Sequence, residues 1–185
     1  MKNSLPYTWK SYFTVQADYQ LWANDRLFAA LGALDVALLS SDQGLPFGSI
    51  SGTVEQMLAE SRLWLARLRG DSMITVQPAA KPDWNRLIEM TQEEARTLQL
   101  WLEHCDDGFF ERQLTYPVAP DAVHSLWVRD ALTHMMSCST YHRGQISAIV
   151  ARLGYRNLDM DYDRYKREIT VYRQRLAAIT PLLAG

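Results

Sequence analysis

Leu126–Gly154, LWVRDALTHMMSCSTYHRGQISAIVARLG, is the stretch on which the fold and the chemistry turn. Val128, Leu132, Met135, His142, Ile146, Ile149 and Leu153 recur at steps of three, four or seven, the spacing of one face of an α-helix. His142 therefore falls within the apolar stripe. Cys138 stands one turn earlier, offset by about 40° around the axis, so the two side chains project to the same side. His134 lies a further turn back and is rotated away. Gly154 supplies a stop, because glycine readily takes the left-handed conformation that ends helices.

Outward from this segment the chain reads as further helices. Before it, Phe13, Ala17, Leu21, Phe28, Leu31 and Leu34 mark an amphipathic helix from about Thr8 to Leu34. The loop SSDQGLPFGS follows. Ser49 or Ser51 caps a second helix with Val54, Met57, Leu58, Ser61, Leu65 and Leu68 inward, and Gly70 ends it. After a proline-containing connection over 71–82, Asp83 caps a third helix reaching about His104, with Leu87, Met90, Leu98 and Leu102 inward. Thr91 and Glu94 fit a capping box, which predicts a kink or restart near Met90. Residues 106–122 read as an extended or hairpin excursion. A last helix, about Tyr162 to Ala178, turns Tyr165, Ile169, Tyr172 and Leu176 to one side. The sum is one all-α domain over residues 1–185, an up-and-down four-helix bundle with an additional C-terminal helix.

Composition narrows the functions. With 48% hydrophobic residues and a formal net charge of −2, the chain has ample core and too weak a field for nucleic acid or anionic lipid. No apolar run approaches the roughly 20 residues that cross a bilayer. The N-terminus shows no apolar secretion signal, and two cysteines make no disulfide framework, so a cytoplasmic setting is expected.

Cys138 and His142, four apart on a helix, present donors to one point, as two ligands of a helical zinc motif do. The same spacing serves a buried cysteine beside a hydrogen-bonded core histidine. A third ligand must come from another helix. Gly144 costs roughly 1 kcal/mol against alanine inside a helix, which predicts close approach of a helix or a ligand. Gln145 is placed to orient a bound group or to cap a neighbouring helix. Asp159, Asp161 and Asp163 lack the glycine and glutamate of a calcium loop and read as the capped start of the last helix. His104 and His124 have no ligand spacing and are expected in solvent.

These residues resemble the DinB-like family, also called DinB/YfiT-like. Tyr19–Leu27, YQLWANDRL, is similar to its first-helix motif. Phe47–Thr53 with Leu63–Leu68 is similar to its second helix, and His134 through Tyr141-His-Arg-Gly-Gln145 to its histidine-rich signature. The resemblance implies a four-helix bundle holding a divalent metal (nickel, zinc or iron) on three histidines. It also implies homodimers and, in some relatives, transfer or isomerisation chemistry with a low-molecular-weight thiol. Two of the three ligand places differ here: Gln56 and Cys138 stand where the family has histidine, and His142 is retained. The expected metal set is thus Gln56, Cys138 and His142. Two functions follow from the resemblance. One is a divalent-metal-dependent transferase or hydrolase acting on a small-molecule substrate. The other is a metal-free member serving as a small-molecule-binding or dimeric scaffold protein.

Overall fold

The computed structural model describes residues 7–71, 82–155 and 158–183, with side chains placed through residue 172. Local chemistry sets most helix ends. Helix α1 (Trp9–Leu31) opens on a reciprocal cap: Ser11 N donates to Thr8 Oγ1 at 3.2 Å and Thr8 N to Ser11 Oγ at 3.0 Å. A one-turn helix α2 (Val36–Ser40), capped by Asp35, lies between α1 and the expected loop; five residues are too few to show a period. Ser49 caps α3 (Ile50–Arg69) by accepting from Gly52 N at 3.0 Å, and Gly70, at φ 71°, ends it.

Asp83 caps α4 (Trp84–His104) through Arg86 N at 2.9 Å. The restart expected near Met90 does not occur. Thr91 instead donates its hydroxyl to Leu87 O at 2.8 Å, a bond that leaves the helix continuous. The connection within 72–81 lies outside the described residues.

A 3₁₀ turn (Asp107–Glu111) leads into the antiparallel hairpin of β1 (Gln113–Ala119) and β2 (Ala122–Trp127). The strands pair from Gln113↔Trp127 to Ala119↔Ala122, with an irregularity between Pro117 and Ala119. Leu126 and Trp127 belong to β2, so the long helix α5 spans Val128–Arg152 and starts two residues later than its motif. Helix α6 (Tyr162–Leu183) closes the described chain. Asp161 accepts from Arg164 N at 2.8 Å, so the acidic run does cap this helix. Tyr165 is buried as expected, but Tyr172 is exposed, and the Leu176 side chain lies outside the described ones.

The architecture is an all-α bundle of α1, α3, α4 and α5 with α6 added against α1. Side-chain pairs give the directions. Lys10 reaches Glu103 O at 2.9 Å and Gln99 donates to Asp18 at 2.5 Å, so α1 and α4 are antiparallel. Glu60 meets His142 and Trp64 meets His134, so α3 and α5 are antiparallel too. Arg129 lies over Trp9 while Arg143 reaches Gln20 and Asn24, so α1 and α5 run together. The order is up, down, down, up. Strict alternation is the economical outcome of short connections; the connection from Gly70 to Asp83 is long enough for α4 to begin at the end where α3 begins.

Two apolar clusters fill the bundle. One gathers Phe13, Leu68, Leu102, Phe110 and Leu132; the other gathers Leu27, Leu31, Ile50, Val54, Leu87 and Ile146. Each fully buried Leu, Ile or Phe contributes about 1.5–3 kcal/mol. Between the clusters lies a polar waist of buried Gln20, Asn24, Thr91, His142 and Arg143. A cavity of about 30 Å³ sits there, lined in part by Gln20, Asn24, Thr91 and Ser139, which is room for a water. Helix α6 is held by the mutually tilted rings of Tyr19, Trp22 and Tyr165 and by Glu168. Glu168 accepts from Arg164, Arg26 and Trp22, which together hold its carboxyl down at about 2. Among the described residues no helix is long and apolar enough to cross a membrane.

Candidate functional site

The antiparallel pairing of α3 and α5 brings together the three residues singled out by sequence, along with one that was not. Gln56 and Glu60 are one turn apart on α3; Cys138 and His142 are one turn apart on α5. His142 is buried at 4% exposure and both of its ring nitrogens are engaged. Nε2 pairs with Glu60 Oε2 at 3.0 Å and Nδ1 with Gln145 Oε1 at 3.2 Å. Gln56 Nε2 in turn donates to Glu60 Oε1 at 2.7 Å. The result is a continuous chain, Gln56–Glu60–His142–Gln145, across the seam between the two helices.

Cys138 is not part of that chain. Its sulfur lies 3.5 Å from His134 Nε2, and the His134 ring packs edge-on against Trp64 with centroids 4.8 Å apart. His134, rotated away from the main stripe as expected, is therefore still the sulfur's partner. Burial, and after it the negative charge of Glu60, pushes the Cys138 thiol up from its ordinary value. A thiol so placed is a poor thiolate at neutral pH, both as nucleophile and as ligand.

Two aromatic rings flank His142. Phe47 meets it edge-on at 5.6 Å between centroids, and Tyr141 lies at the same distance. Both rings are substantially exposed. Phe47 is fixed by Gly52: a Cβ at that position would collide with the Phe47 carbonyl oxygen, so only glycine lets the loop fold onto the start of α3. Gln145 pairs with His142 on its own helix, a role other than the two its position suggested. The close helix approach expected at Gly144 is absent: a Cβ there would meet nothing within 4 Å.

Its neighbour Arg143 is an unexpected feature. At 2% exposure it is the largest fully buried side chain among the described residues. It donates to Gln20 Oε1 at 2.7 Å, to Asn24 Oδ1 at 3.1 Å and to Thr140 Oγ1 at 3.0 Å, and its guanidinium lies 5.6 Å from the Tyr19 ring centre. Burial lowers its pKa to about 10. Charged residues are almost never fully buried, so the sequence reading left Arg143 without a role. His104 and His124 are exposed, as expected.

The arrangement tests the implied metal. Three donors must converge with lone pairs free. Here the Gln56 amide is turned to Glu60, the Cys138 sulfur to His134, and both His142 nitrogens to oxygens. Among the described residues no group of three His, Cys, Asp or Glu side chains stands together as a metal cage would require. The side chains as arranged do not fit a divalent ion.

Comparison with known proteins bears on the same features. The model of the DinB family matches residues 7–175. The chain belongs to the DinB family. Protein DinB of Bacillus subtilis (strain 168) is 26% identical over 158 residues, a match covering 80% of this chain and 90% of that protein. The DinB match spans all four bundle helices and most of α6, so the seam and the polar waist both fall inside the region the family defines.

Proposed function

We propose that this DinB-family chain is a cytoplasmic, metal-independent protein that binds a small molecule at the α3–α5 seam. A low-molecular-weight thiol is the first class to test, and a homodimer is the expected form. One observation carries the reading: His142 has no ring nitrogen left for an ion, because Glu60 and Gln145 occupy both. A hydrogen-bonded chain takes the place of a coordination sphere. The exposed rings of Phe47 and Tyr141 beside the half-buried Cys138 give the seam an apolar lining with a polar floor, the usual make-up of small-molecule sites.

A second reading is the metal-dependent transferase or hydrolase, with zinc, nickel or iron held by Gln56, Cys138 and His142. Glu60 favours it, since a carboxylate 3.0 Å from His142 adds the charge that Gln56 lacks. Elemental analysis of untagged protein, incubated with zinc and nickel and then desalted, separates the two. Trace metal supports the first reading. Near-stoichiometric metal, lost in Glu60→Ala and His142→Ala, establishes the second. Light scattering on the same samples tests the dimer.

A further inference from the structure

On the opposite side of α5 from Cys138, two features have no counterpart in the seam. Arg143 is a buried cation without a carboxylate: its partners are the amides of Gln20 and Asn24 and the hydroxyls of Thr140 and Tyr19, and none of the described carboxylates pairs with it. Buried charges are normally matched by an opposite charge, because neutral dipoles only partly replace lost water. Gly144 is an exposed glycine in mid-helix with open space where a side chain would stand, so no neighbour of the fold requires it.

Both residues border one groove of about 380 Å³ between α5 and the segment 158–161. Tyr19 and Thr140 share its floor with Arg143. Asp159 and Asp161 form its other wall. Asp159 pairs with Arg164, and Asp161 accepts from Arg164 N at 2.8 Å, so both carboxylates are held in place. A bare anion entering this groove is drawn to Arg143 and repelled by Asp161, while Arg164 already offsets the charge of Asp159; a bare cation meets the reverse. A molecule carrying both charges a few ångströms apart satisfies both walls.

We propose that this groove binds a small zwitterion, with its carboxylate at the Gly144 opening over Arg143 and its ammonium toward Asp159 and Asp161. The missing side chain at 144 lets the carboxylate come close to the helix. The site is separate from the α3–α5 seam and does not depend on what binds there.

The test is calorimetry and thermal unfolding of the full chain with glycine, β-alanine and 4-aminobutyrate, which step the two charges apart, and with acetate and ethylamine as half-ligands. At least one amino acid is expected to bind and raise Tm, with both half-ligands about tenfold or more weaker. Gly144→Leu, pointing into open space, should fold normally by circular dichroism and lose the binding. Asp159→Asn, at an exposed position, should weaken the amino acid and leave acetate unchanged. The proposal is overturned if no amino acid binds at millimolar concentration, or if acetate matches the best of them. It is equally overturned if the folded Gly144→Leu or Asp159→Asn protein binds as the parent does.

Discussion

His142 and Arg143 are neighbours on α5 and face opposite walls of the waist, and they solve burial in opposite ways. His142 is bonded at both nitrogens and has a carboxylate, Glu60, as one partner. Arg143 is also bonded, yet to amides, to the hydroxyls of Thr140 and Tyr19 and to the Tyr19 ring, so no carboxylate matches its charge. The difference teaches that satisfaction of hydrogen bonds and satisfaction of charge are separate conditions. On the histidine side both ring nitrogens are closed to an incoming metal ion. The arginine side is geometrically complete and electrostatically open.

Substitutions that exchange these conditions should break the contrast. The largest effect is expected from Arg143→Met, which removes the cross-brace between α1 and α5 and strands Gln20 and Asn24 as buried acceptors. At about 1–3 kcal/mol for each stranded group, Tm should fall by roughly 5–15 °C in thermal unfolding. On the histidine side, Gln56→His together with Cys138→His supplies two imidazoles beside His142. Zinc affinity, measured by competition with a chromophoric chelator, should rise about a hundredfold or more over the natural chain.

Glu60→Gln sharpens the comparison by making the histidine side resemble the arginine side. The bonds survive and the charge goes, so the loss of stability should be only about 1–2 kcal/mol by denaturant titration. The same change should lower the Cys138 thiol pKa. Glu60, after burial, now helps hold that pKa above its ordinary value, so alkylation of Cys138 accelerates only at high pH. In Glu60→Gln the rate profile should move toward neutral pH. An unmoved profile would show that burial alone sets the thiol. The smallest effect is a gain: Gly144→Ala meets no neighbour and should raise Tm by about 2–4 °C.

How far the sequence revealed this site depends on the range of each interaction. Ser49, Gly70 and Asp83 were legible as helix ends because capping involves a side chain and a backbone two to four residues away. Cys138 and His142 were legible as a pair for the same reason. Gln56 came to notice only through the family resemblance. Glu60 did not come to notice at all, because its role depends on the register of α3 against α5, and nothing in Ala59-Glu-Ser61 distinguishes it from an exposed glutamate. Arg143 was left without a role for the same reason: Gln20 and Asn24, more than a hundred residues away, give it a buried position. The capping box at Thr91 was a local signal overruled by packing, since Thr91 is itself on the buried face of α4, between Leu87 and Leu98, and its hydroxyl is given to Leu87 O.

The most direct test of the account is the ¹⁵N spectrum of the His142 ring, recorded before and after zinc is added to untagged protein. With Glu60 and Gln145 holding both nitrogens, the two ring resonances should stay where they are while zinc remains free in solution. A zinc-dependent shift of the Nε2 or Nδ1 resonance, matched by one bound equivalent of metal, would contradict it.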